Sequence, residues 1–184
     1  MNIETELTPN PETLKFVLNK TILETGSLEF KNFKEAKQLD FANEIFQLNG
    51  IKNVFISSNF ISITKESNKD WSILKPKILT FLIDYTSANK EIIKEIKVKD
   101  TNKKSKTTDK TSSKIEEVIN LKVRPAVAKD GGDIIFERFE KGIVYLSLQG
   151  ACVGCPSSTA TLKQGIENLL KHYFPEVKRV EAVN

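Results

Sequence analysis

The chain has only two cysteines in 184 residues, Cys152 and Cys155, and no others from which a disulfide framework could be built. Small extracellular domains that depend on disulfides carry several such pairs, so a stapled scaffold is excluded and a reducing compartment is favoured. No apolar run approaches the ~20 residues needed to span a bilayer, which predicts no transmembrane helix and no membrane partner. The first residues, Met-Asn-Ile-Glu-Thr-Glu, are acidic. They follow neither the charged-then-apolar plan of a secretory signal nor the Arg-rich plan of an organellar presequence. A cytoplasmic location is the resulting expectation.

An excess of one charge is also missing from most of the chain. The net charge is +4 and the pI is near 8.9, values that could suggest a nucleic-acid binder. Yet Lys99 to Lys114 alone holds six lysines and two aspartates, and without it 22 basic residues face 22 acidic ones. A specific nucleic-acid face needs its basic groups clustered on a folded surface, so no nucleic-acid partner is expected.

That same stretch of sixteen residues contains no apolar side chain. It cannot bury enough surface to offset the entropy of ordering, and loops of that length are rare inside a compact domain. It is expected to be a flexible tether whose ends lie roughly 20–25 Å apart. The predicted organisation is a first domain over residues 1–97, a disordered Lys/Thr/Ser-rich linker over 98–113, and a second domain over 114–184.

In the first domain, Leu14, Phe16 and Leu18 alternate with Lys15, Val17 and Asn19, a strand pattern after the turn signal Thr8-Pro-Asn-Pro11. Leu28 and Phe30 suggest a second short strand. Ala36, Leu39, Ala42, Ile45 and Phe46 predict one helix over about 35–47, stopped by Asn49-Gly50. Ile51 to Ile56 and Phe60 to Thr64 read as a hairpin. Trp71, Leu74, Ile78, Phe81, Leu82 and Tyr85 mark a longer amphipathic helix with Asp70 as its N-cap, kinked or begun at Pro76. No acid, base or nucleophile clusters here, and Trp71 is expected to belong to the core.

In the second domain, Ile115, Val118, Ile119 and Val123 predict a helix perturbed by Pro125 and ended at Asp130-Gly-Gly-Asp133, where glycine supplies the positive φ of a helix exit. Strands follow over Ile134–Phe139 and Ile143–Leu148. After the cysteine loop, a helix from about Ser157 carries Leu162, Ile166, Leu169, Leu170 and Tyr173, until Pro175 stops it. Val177, Val180 and Val183 suggest a last strand. The fold class is therefore α+β: two small α+β domains, the second of α-β-β-α-β order. Asp130 and Asp133 read as turn residues and His172 as a residue of the last helical turn.

The chemistry lies in Gly150-Ala-Cys-Val-Gly-Cys-Pro-Ser-Ser158, between a strand end and a helix start. A helix N-terminus carries partial positive charge and unpaired N–H groups, which favour a thiolate. Thiolate is the form that binds zinc or iron. A tetrahedral zinc site or a cubane iron–sulfur cluster takes four protein ligands, usually thiolates, and one chain offers two. The remaining ligands must come from another molecule, most simply a second copy. Gly150 and Gly154 let the backbone pass close to a bound centre, so the loop is expected to present both sulfurs at the surface. Zinc bridging two chains uses the same thiolates. A thioredoxin-like dithiol is the other alternative, although the domain is short for that fold.

The run Asp130-Gly-Gly-Asp133, followed by Gly150-Ala-Cys-Val-Gly-Cys-Pro-Ser-Ser-Thr159 and Thr161-Leu-Lys-Gln-Gly-Ile-Glu167, resembles the NifU-type C-terminal domain of the Nfu iron–sulfur proteins. Thr8-Pro-Asn-Pro-Glu-Thr-Leu-Lys-Phe16 and Gly50-Ile-Lys-Asn-Val-Phe55 are similar to the N-terminal domain of the same family. The resemblance implies a non-enzymatic carrier. In it, Cys152 and Cys155 of two chains hold one [4Fe–4S] cluster in a homodimer formed through the C-terminal domain, and pass it to apo iron–sulfur clients after an upstream donor has supplied it.

Overall fold

The computed structural model describes residues 3–88, 92, 110–153 and 156–183, with the side chains of 156–159 left aside. The chain divides into two compact units, Met1–Thr101 and Asn102–Asn184. Residues 98–109 of the expected linker lie outside the described residues, as does Cys155.

In the first unit, strands β1 (Ile3–Leu7), β2 (Thr13–Leu18), β3 (Leu28–Phe30), β4 (Ile51–Ile56) and β5 (Phe60–Lys65) form an antiparallel sheet of order β1-β2-β5-β4-β3. Register places Leu14 opposite Ile63 and Phe16 opposite Ile61, with Val54 and Ile56 on the other side of β5. Strand side chains alternate between faces, so these residues share one face and join a single core. Helix α3 (Trp71–Ser87) completes that core with Leu74, Ile78, Leu82 and Tyr85. On the other face Lys15 forms an ion pair with Glu6 at 2.9 Å and lies over the Phe60 ring.

The expected helix over 35–47 is two helices, α1 (Phe33–Ala36) and α2 (Asp40–Phe46). Asn32 caps the first by accepting from Glu35 N–H, and Leu39 between them is extended and buried. Burying Leu39 decided against one continuous helix. Pro76 neither starts nor stops α3: Asp70 caps it through Ser72 N–H at 2.8 Å. Proline removes the bond that would reach the Ser72 carbonyl, and Ser72 is exposed, so water can take its place. Trp71 packs against the core as expected and donates its ring N–H to Pro11 O at 3.0 Å. Strand β1 had no counterpart in the sequence reading, although Ile3, Thr5 and Leu7 alternate with Glu4 and Glu6.

In the second unit, α4 (Lys110–Val118) runs into a π-helical turn over Ile119–Val123 and then α5 (Arg124–Lys129). The wide turn has a local cause. Pro125 has no N–H and its ring would meet the Leu121 carbonyl in a regular helix; instead Arg124 N–H bonds back five residues to Ile119 O. The helix begins four residues before the expected boundary at 114, and Ser112 is only 1% exposed, so this turn is packed. Strands β6 (Gly132–Glu140) and β7 (Ile143–Gly150) form a hairpin whose turn residues Lys141 and Gly142 both have positive φ, matching a type I′ turn. Helix α6 (Pro156–Tyr173) returns the chain to β8 (Arg179–Ala182), which lies parallel to β7. The helices and the sheet bury one core.

One helix position is open. A Cβ added at Gly165, in the middle of α6, would meet no atom within 4 Å. Glycine in a helix interior costs backbone entropy relative to alanine. Gly165→Ala is therefore expected to stabilise the second unit by about 0.5–1 kcal/mol, read as a rise in the urea midpoint of its unfolding.

Candidate metal centre

The site is assembled by the β6–β7 hairpin. Its register sets Gly132 opposite Gly150 and Asp133 opposite Gln149, so the helix exit at 130–133 lies beside the start of the cysteine loop. Ala151 N–H donates to Gly131 O at 3.1 Å, and Val153 N–H closes a turn onto Gly150 O at 3.1 Å. Gly131 and Gly150 have φ of 83° and 64°, left-handed values that admit glycine most readily.

Cys152 is 5% exposed and belongs to the buried core of the second unit. The expectation that both sulfurs stand at the surface therefore fails for Cys152: its thiol is packed inward because Gly132 leaves room for it. A Cβ built on Gly132 would lie 2.7 Å from Cys152 Sγ and 2.6 Å from Gln149 O. A soft thiolate is the ligand type that suits iron or zinc, and the missing Cβ opens the space at that sulfur. Among the described residues, no group of three or more His, Cys, Asp or Glu side chains converges to make a complete ligand set.

The helix exit is held by an ion pair. Arg124 donates from Nε to Asp133 Oδ1 at 2.8 Å and from Nη2 to Oδ2 at 2.7 Å, and Ile134 N–H donates to Oδ1 at 2.8 Å. The Asp133 side chain is 9% exposed. Its hydrogen bonds push the already high Arg124 pKa further up, against a smaller opposing effect of burial. Downstream, α6 is tied to β8 by Glu167, which pairs with Lys171 and accepts from Val180 N–H at 3.0 Å. Those contacts, the Lys171 bond first, hold the Glu167 carboxyl below its usual range.

Asp133 is thus more than the turn residue expected from sequence. Arg124, Gly132 and Glu167 carry structural duties that no periodicity announced, the one local signal being an arginine directly before Pro125. His172 lies in the last turn of α6 against Tyr173, as expected for its position. It is sixteen residues from the start of that helix, about 24 Å along the axis.

Comparisons with known proteins agree across both units. A model described as a NifU-like domain matches residues 115–181, and one described as Scaffold protein Nfu/NifU N terminal matches residues 3–89. The human NFU1 iron-sulfur cluster scaffold homolog, mitochondrial, is 41% identical over 184 residues, covering 100% of this chain and 72% of that protein. NifU-like protein 4, mitochondrial, of Arabidopsis thaliana is 42% identical over 186 residues, covering 98% of this chain and 65% of that protein. A solution NMR structure of a NifU-like protein from Saccharomyces cerevisiae aligns with a TM-score of 0.48 at 25% identity, over 52% of this chain and 87% of that one. The chain spans about two thirds of the length of these full-length relatives. Their names correct the expectation of a cytoplasmic location, since both are mitochondrial. The physical reason is that an address is read by a receptor from a targeting segment, and neither cysteine usage nor the charge of folded domains encodes it.

Proposed function

The chain belongs to the Nfu family of iron–sulfur cluster scaffold proteins, and from that premise we propose that it binds a [4Fe–4S] cluster between two copies of itself and hands it to apo-proteins. Cys152 and Cys155 of each copy supply the four thiolates. The cluster is cargo, so the protein holds, shields and releases it, with no turnover chemistry of its own. Release is a ligand substitution in which a client's thiolates replace those of the carrier, and an upstream donor loads the cluster.

The observation that carries this reading is the ligand deficit joined to the Gly132 recess. The chain has two cysteines, both in one loop, and glycine at 132 is what makes room for the Cys152 sulfur. A binding loop for half a cluster needs both features: two soft ligands and a backbone that comes close to one of them.

The test is anaerobic reconstitution with iron and sulfide, with the metal content and the mass in solution measured together. The expected result is about two irons and two sulfides per chain in a dimer. A monomer with that content, half a zinc per chain without iron, or a dithiol that cycles without taking up metal would each overturn the shared-cluster reading.

A further inference from the structure

Three consecutive residues at the exit of α5 each hold a different neighbour. Gly131 O accepts from Ala151 N–H at 3.1 Å. Gly132 leaves the recess in which Cys152 Sγ sits. Asp133 takes both arms of the Arg124 guanidinium at 2.8 and 2.7 Å, and its Oδ1 also receives Ile134 N–H. Arg124 is in turn held on its far side by Asn120 Oδ1, at 3.3 Å from Nη1. Two residues on the helical side and three at the strand start thus form one connected set, in which Gly132 borders the cysteine.

We propose that Arg124 is a positioning residue for Cys152: through Asp133 it fixes the Gly131–Gly132 corner against the loop, and so sets where the Cys152 sulfur rests before cargo arrives. The π-helical turn serves the same end. It lets the chain pass Pro125 while delivering the guanidinium at the level of Asp133. A planar fork with two parallel N–H groups fixes the carboxylate in orientation as well as in distance, which a single charge on a flexible stem does not.

The consequence concerns the sulfur. A thiol that is 5% exposed inside an apolar core is shielded from reagents and cannot meet a partner without moving. The corner held by Arg124 sets how readily it moves. With the corner intact, the apo chain keeps Cys152 packed, and the arriving cluster draws it out along one path. With the corner loosened, the sulfur leaves its recess without cargo.

The proposal rests on reading Cys152 as a cargo ligand, but it is tested on the apo chain. In a Cys155→Ala background of the 184-residue chain Cys152 is the only thiol, and its reaction with an aromatic disulfide reagent can be timed at fixed pH and increasing low urea. Arg124→Gln is expected to speed labelling by about tenfold, at a rate independent of low urea, the signature of a local rather than a global opening. Arg124→Lys, which keeps the charge and loses the fork, is expected to fall between the two. Asp133→Asn retains an acceptor for the Ile134 amide and should shift the rate in the same direction, which covers the case of an Arg124→Gln chain that does not fold.

Labelling within twofold of the background, or a gain that climbs with urea in step with global unfolding, would overturn the proposal and leave Arg124 as a merely structural residue. Failure of the chain with both cysteines in place to take up iron would overturn the cluster reading while leaving the labelling result in force.

Discussion

Replacing Cys152 with alanine is expected to reduce iron uptake from about two atoms per chain to near zero, while the chain stays folded. Two copies related by symmetry would lose two of the four thiolates at once, and a cubane left with half its protein ligands is open to solvent. Alanine is the informative substitution. The side chain is 5% exposed in an apolar core, where a serine hydroxyl would have to find a hydrogen-bond partner or carry a desolvation cost. Removing one buried sulfur atom costs about 1 kcal/mol of packing, small enough for the domain to survive. Iron and sulfide analysis after anaerobic reconstitution, beside circular dichroism of the apo chain, separates the two effects. Uptake near the unmutated level would remove Cys152 from the ligand set.

Gly132→Ala is expected to do the reverse, damaging the fold and the site together. The added methyl would stand 2.6 Å from Gln149 O and 2.7 Å from Cys152 Sγ. The sulfur can rotate away, but the carbonyl belongs to β7, which pairs with β6 at this level. The end of the hairpin must open, at a cost of about 2–3 kcal/mol, read as a lower urea midpoint and as faster labelling of Cys152. The contrast with Gly165→Ala is direct. The same substitution, in a helix with open space around it, is expected to stabilise. A Gly132→Ala chain with unchanged stability would show that the hairpin end yields freely and that the recess holds nothing in place.

The legible part of the candidate site was its pair of cysteines. Two cysteines separated by two residues, set between a strand pattern and a helix pattern, are a local feature, and local spacing is what a sequence displays. Apolar alternation located β2, and short apolar-rich runs located β4, β5, β6 and β7. Where burial of a single side chain outweighed periodicity the pattern misled: Leu39 split one expected helix into α1 and α2. Ser112 drew α4 four residues into the expected linker. Location was illegible for a different reason, since it is written in a recognition segment rather than in packing.

By itself the sequence determined the α+β class, the pair of thiols and their shortfall against a four-thiolate centre. These depend on residue type and spacing, which need no coordinates. Only the tertiary structure decided that Cys152 points inward, that Gly132 makes its recess, and that Arg124 and Asp133 lock the corner beside it. Arg124 and Cys152 are far apart along the chain and are connected only through Asp133 and Gly132, which a π-helical turn and a hairpin register bring into place. A connection of that kind is set by the balance of proline sterics, strand pairing and buried charge over the whole domain.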